Sequence, residues 1–309
     1  MQWSQIKTLF ILCFLVLNIY LLYLVIDKQK EADIGIIERE DTTIEEQLES
    51  EDITYGDLPE VKDEEPFLSV EQKNFDREDA SSLEKFSNQD AAIIDKNIII
   101  SVFDNPIQLP SNATDQTILS LLKDDILYPE EYDFWGWNKE YNVLVFFQKK
   151  NERPIYFNRG GMVLFFLNKE NEVSGYIQTM LGESEEGEES KSLIKPIKAI
   201  ETLYQSNKLN SGEEITMSIG YHTRVPLSDG VQVFVPTWKA SVNDERNYFI
   251  NAIEGFIFSG NDNDFLYETI STYEENLRSV SIKDTEIKEM ILEQLNSRLD
   301  KKNGSEEKK

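Results

Sequence analysis

The chain is 309 residues long and carries 31 basic against 58 acidic side chains, a formal net charge of −27. That charge excludes a simple nucleic-acid binder, which needs a concentrated basic surface to displace counterions from phosphates. The single cysteine, Cys13, excludes an intramolecular disulfide framework and a cysteine-based zinc site, and its place in the most apolar stretch, with His222 as the one histidine, argues against a Cys-His dyad.

From Leu9 to Ile26 the chain reads LFILCFLVLNIYLLYLVI, uncharged throughout and with Asn18 as its one strongly polar side chain. A helix over this stretch spans about 27 Å at ~1.5 Å per residue, close to a hydrocarbon core of roughly 30 Å. The bulky residues from Tyr20 to Ile26 offer no small-x-small cleavage site, and Leu12 before Cys13 lacks lipobox chemistry, so residues 1–26 read as an uncleaved signal anchor. Lys7 and the terminal amine on one side are answered by Lys28 and Lys30 on the other, which leaves orientation open on charge alone. Trp3, Tyr20 and Tyr23 stand where interfacial aromatics belong. An amide in hydrocarbon gains by hydrogen bonding to a neighbouring helix, so Asn18, with Trp3 and Lys7 at the entrance, forms the candidate membrane-helix interaction set.

Residues 27–66 hold sixteen acids against four bases and read as a solvated acidic linker or stalk. Ile34, Ile37, Ile44 and Leu48 fall near heptad spacing, so a short coiled coil continuing the membrane helix stays open as an alternative.

Beyond Phe67 the pattern becomes globular and predicts an α+β fold of two antiparallel-sheet-plus-helix modules, 67–182 and 183–262. In the first, Asn97 to Phe103 reads as a strand. Thr114 or Asp115 caps a helix with Ile118, Leu119, Leu122 and Ile126 on one face. Strands follow at Tyr141–Phe147, Pro154–Phe157, Met162–Leu167 and Val173–Leu181. The polar run Gly182–Ser190 reads as a loop between modules, with a cation site as a minor alternative. The second module opens at Pro196 with a helix carrying Ile197, Ile200, Leu203 and Tyr204, and continues as strands Ile215–Thr223, Val231–Val242, Asn247–Ile253 and Phe256–Phe258. Pro236 inside one of these implies an edge strand or a break. Residues 263–309 read as a polar tail with one short amphipathic helix marked by Ile287, Met290, Ile291, Leu295 and Leu299.

Chemistry is sparse, and no catalytic, cofactor-binding or metal-ligating set is predicted. His222 lies in a strand-like run with no nucleophile-elbow serine, and Asn261-Asp262-Asn263-Asp264 lacks the glycine and glutamate of a calcium loop. Arg159-Gly160-Gly161 reads as a hairpin turn, since no strand-linked P-loop or dinucleotide pattern is present. Phe134, Trp135, Trp137 and Tyr141 cluster, and core packing accounts for them more simply than a glycan or peptide groove does.

Trp3-Ser4-Gln5-Ile6-Lys7-Thr8 running straight into one apolar helix, Gly175 to Thr179, Val235-Pro236-Thr237-Trp238 and Tyr248 to Gly255 together resemble the YycI family over approximately residues 1–262. These are accessory regulators of the WalK/WalR (YycG/YycF) two-component system in low-GC Gram-positive bacteria. The resemblance implies a non-enzymatic single-pass membrane protein with a cytoplasmic N-terminus and an extracellular C-terminal domain similar to the two C-terminal domains of YycH. It implies as partners a WalK/YycG-like sensor histidine kinase and a YycH-like protein, with membrane helices modulating the kinase and hence cell-wall metabolism. No cofactor is implied. A binding module that recognises a wall fragment or peptide is the alternative function, and the acidic linker and the tail after Ser259 depart from the family's pattern in length.

Overall fold

The computed structural model describes residues 7, 10–22, 43–110, 113–226, 230–258, 260–280 and 285–306. The chain divides into two compact units, Met1–Asp52 and Ile53–Lys309.

The first unit contains a helix over residues 10–22 (α1) and a short helix, α2 (Ile44–Ser50). Thr43 caps α2 through its hydroxyl while the Glu46 carboxylate returns a bond to the Thr43 amide, a reciprocal pairing that satisfies two otherwise free donors. Of the heptad-like residues, Ile44 and Leu48 fall on α2, whereas Ile34 and Ile37 lie outside the described residues.

The second unit begins with strands β1 (Thr54–Tyr55) and β2 (Glu64–Gln72), helix α3 (Arg77–Leu83), and strands β3 (Gln89–Ile94) and β4 (Ile98–Gln108). Helix α4 (Asp115–Leu122) follows, then β5 (Tyr132–Asn138), β6 (Val143–Lys150), β7 (Arg153–Tyr156), β8 (Met162–Leu167) and β9 (Glu172–Thr179). The chain continues through β10 (Leu181–Ser192), α5 (Pro196–Gln205), β11 (Glu214–Pro226), β12 (Val231–Val242), β13 (Arg246–Asn251) and β14 (Ile257–Phe258). It ends in two long helices, α6 (Asp262–Ser279) and α7 (Thr285–Glu306).

The strands form one path, β10-β2-β12-β11-β7-β6-β8-β9-β4-β3, with β1, β5, β13 and β14 attached beside it. The fold is therefore α+β with a large mixed sheet, because β1 and β7 both pair with β11 in parallel where only antiparallel pairing was expected. Strand β7 joins the two halves: it pairs with β6 through Lys149–Pro154 and Lys150–Arg153, and with β11 through Ile155–Tyr221 and Tyr156–His222. Gly220 stands at that crossing, where a Cβ would collide with the Pro154 carbonyl and the Tyr156 ring.

The half containing β8 is buried on both faces, which explains its unbroken apolar sequence. Met162, Leu164 and Phe166 join a core layer with Leu266, Ile270 and Tyr273 of α6. Their alternates Val163, Phe165 and Leu167 join a second layer with Ile118 and Leu122 of α4. In α6, Leu266, Thr269, Ile270, Tyr273 and Leu277 recur at helical spacing on the buried face, and Ile287, Ile291, Leu292 and Leu295 of α7 complete that layer.

Three sequence expectations change. Residues 54–66, expected in the linker, supply β1 and the start of β2: Leu68 and Val70 anchor that strand in the core, and buried Glu65 is neutralised by Arg153. Gly182–Ser190 is strand rather than loop, because β10 pairs with β2 and leaves its glutamates in solvent on a strand at the end of the sheet. The polar tail is two packed helices, its polar residues covering the outer face of an apolar stripe. Pro236 marks a break and not an edge: β12 pairs with β2 as far as Phe234 and with β13 from Thr237, so the residue without an amide hydrogen falls between partners.

Candidate functional site

Two places hold the candidate residues. The first is α1, where Phe10, Ile11, Phe14, Leu15 and Asn18 share one face, as spacings of three, four and seven require. Its large apolar side chains are exposed, between 49% for Leu17 and Leu21 and 73% for Phe10. Asn18 thus stands in an apolar stripe, and Lys7 is helical and exposed. Trp3 lies outside the described residues. Among the described residues no helix is long and apolar enough to cross a membrane.

The second place is a cleft of about 320 Å³ where the two halves of the sheet meet the start of α6. Strand β5 pairs with β6 from Tyr132 to Phe134 and again from Gly136, so Trp135 is the extra residue of a bulge. The indole packs against Phe147, Tyr156 and Phe157 with ring centres 5.3, 5.7 and 5.9 Å away. Phe157, directly after β7, has φ of 53°, a left-handed conformation uncommon for a bulky residue, and from there it also meets Phe249 and Phe265.

Polar groups are arranged around this aromatic floor. The Lys239 ammonium lies 4.5 Å from the Trp135 ring centre, and the Trp135 Nε1 donates to the Asp262 carboxylate at 3.4 Å. Burial pushes the Lys239 amine down, against weaker support from Asp262 and Asp244. Asp262 stands at the exposed rim, where desolvation pushes its carboxyl up. Asn138 donates to Asn263 at 2.6 Å and Asn263 donates to Glu140 at 2.6 Å, tying the end of β5 to the start of α6. The Oδ1 of Asn247 is buried with no hydrogen-bond partner and lines the same cleft.

Of the aromatic cluster in the sequence, Trp135 and Trp137 reach this cleft, while Phe134 packs edge-on against Phe146 and Tyr141 is buried in the core. Lys239, Asn247 and Asp262 were not singled out as cleft residues, because they come from strands and a helix far from Trp135 in the chain. Asn261 to Asp264 begin α6, Asn261 accepting from the amides of Asn263 and Asp264. His222 stacks on Phe258 with ring centres 4.3 Å apart and donates from Nδ1 to the Thr223 carbonyl at 3.0 Å. Among the described residues no three His, Cys, Asp or Glu side chains are grouped to hold a metal ion.

Comparison with known families matches the YycI protein family over residues 32–253. The chain belongs to the YycI family. Membership suggests a regulatory accessory role in the WalK/WalR two-component system. No curated protein is a significant match. Among solved structures, an uncharacterized protein from Eubacterium rectale is similar at 9% identity, covering 72% of this chain and 100% of that one, with a TM-score of 0.40. That likeness is too weak to assign a fold.

Proposed function

We propose that the chain is a non-enzymatic, single-pass regulator of a WalK/YycG-like sensor histidine kinase, with its N-terminus in the cytoplasm and its C-terminal domain outside the cell. The extracellular part, similar to the C-terminal domains of YycH, pairs with a YycH-like partner. The N-terminal helix packs beside kinase helices and biases their equilibrium through contacts that differ between the two kinase states. The family match over residues 32–253 carries this reading. The exposed apolar face of α1, with Asn18 in its stripe, supports its membrane half. Immunoprecipitation of the full-length tagged chain from detergent-solubilised membranes tests it: kinase and YycH-like protein both come down, and recovery of neither overturns it.

The cleft at Trp135 favours a second reading, an extracytoplasmic module that recognises a wall fragment or peptide and regulates through its occupancy.

A further inference from the structure

Four charged residues line the cleft: Lys139 lies over the Trp137 ring and Glu140 accepts from Asn263, while at the Trp135 indole a cation and an anion do not meet. Lys239 and Asp262 both touch the Trp135 indole, Lys239 over its face and Asp262 at its Nε1, yet no ion pair joins them within 4.0 Å. Coulombic attraction reaches across the gap, but for each group the largest influence is desolvation, which opposes its charge. A charge that is partly desolvated and incompletely paired gains from a ligand atom of opposite sign. Phe147, Phe265 and Leu266 give the same cleft an apolar wall.

A simple anion would satisfy Lys239 and leave Asp262 as it is. A simple cation would satisfy Asp262 and repel Lys239. A neutral apolar molecule would bury both charges further and give neither a partner of opposite sign. We propose that the cleft binds an α-amino-acid-type zwitterion with an apolar side chain, its carboxylate on Lys239, its ammonium on Asp262, and its side chain on the apolar wall. The source is a free amino acid or a short peptide carrying both termini. The assignment deepens the ligand-module reading and rests on it, and it stands apart from any contact with the kinase.

Isothermal titration calorimetry on the full-length chain in detergent tests the assignment, with L-leucine, leucyl-leucine, N-acetyl-leucine and leucinamide as probes. Saturable binding is expected for leucine or leucyl-leucine, and which of the two binds more tightly distinguishes a free amino acid from a peptide. The two analogues lacking one charge bind about tenfold or more weakly, as do Lys239→Met and Asp262→Asn with the zwitterion. Melting curves verify that both variants are folded, and either variant suffices if the other is not. Equal binding of the charge-blocked analogues overturns the proposal, as does an absence of saturable heat from all four probes with the folded wild-type chain. Loss of ligand binding with kinase and partner still recovered by immunoprecipitation sinks this assignment and leaves the regulatory reading standing.

Discussion

The Arg153 guanidinium grips the Glu65 carboxylate with two parallel bonds of 2.6 and 2.8 Å, joining the strand that links the two halves of the sheet to a strand that begins in the most acidic part of the sequence. Glu65 is nearly buried and Arg153 is about one-fifth exposed. The bond to Glu65 is the largest influence on Arg153 and raises its pKa. Removing one member leaves the other desolvated and alone, at a cost of about 2–3 kcal/mol after allowance for the partial exposure of Arg153. Arg153→Ala should therefore lower the chemical-denaturation midpoint, and the double variant Arg153→Met with Glu65→Leu should recover part of the loss. A single-variant loss below about 0.5 kcal/mol would show that the pair is solvent-screened.

The C-terminal helices behave as core and not as tail. Ile291 is fully buried against the layer formed by β8 and α6. Ile291→Ala is expected to cost about 3 kcal/mol through lost transfer energy and a residual cavity. Glu188→Gln on the exposed strand β10 should change stability by no more than about 0.5 kcal/mol. Equal melting temperatures for the two variants would contradict the packing of α7.

His222 sets a stability dependence on pH. Burial holds its folded-state pKa below the ordinary value of 6.5, and the bond to the Thr223 carbonyl offsets this only in part. The neutral ring is favoured in the fold, so its stability contribution is complete above about pH 6.5 and is lost as pH falls toward the lower folded value. Thermal melts from pH 7.5 to 5 should show a steeper loss for the wild-type chain than for His222→Phe, which keeps an aromatic partner for Phe258. Parallel curves would remove His222 from the pH response.

Asn18 tests the membrane contact. Leucine at this position keeps the apolar face made by Phe14 and Leu15 and removes the amide. Asn18→Leu should reduce kinase recovery about threefold to twentyfold while YycH-like partner recovery holds. Unchanged kinase recovery and unchanged reporter output would take Asn18 out of the mechanism.

Local signals read well where one residue or one spacing decided them. Thr114 caps α4, Pro196 opens α5, and Met162–Leu167 and Val231–Val242 are strands over the expected residues. What escaped was decided by distant partners. The glutamates of β10 give no apolar alternation, and only pairing with β2 makes that segment a strand. The polar residues of α6 mask an apolar stripe whose counterpart lies a hundred residues away on β6 and β8. The cleft was half legible: Trp135 and Trp137 stood out as aromatics, whereas Lys239 and Asp262 look like ordinary surface charges until the fold sets them on one indole.

In the proposed regulator the N-terminal helix is the regulatory element and the ectodomain the assembly element. Replacing residues 1–26 with an unrelated membrane anchor and immunoprecipitating the chain from membranes tests it most directly. The exchange is expected to lose the sensor kinase and keep the YycH-like partner. Recovery of both at wild-type levels would contradict it and assign the kinase contact to the ectodomain.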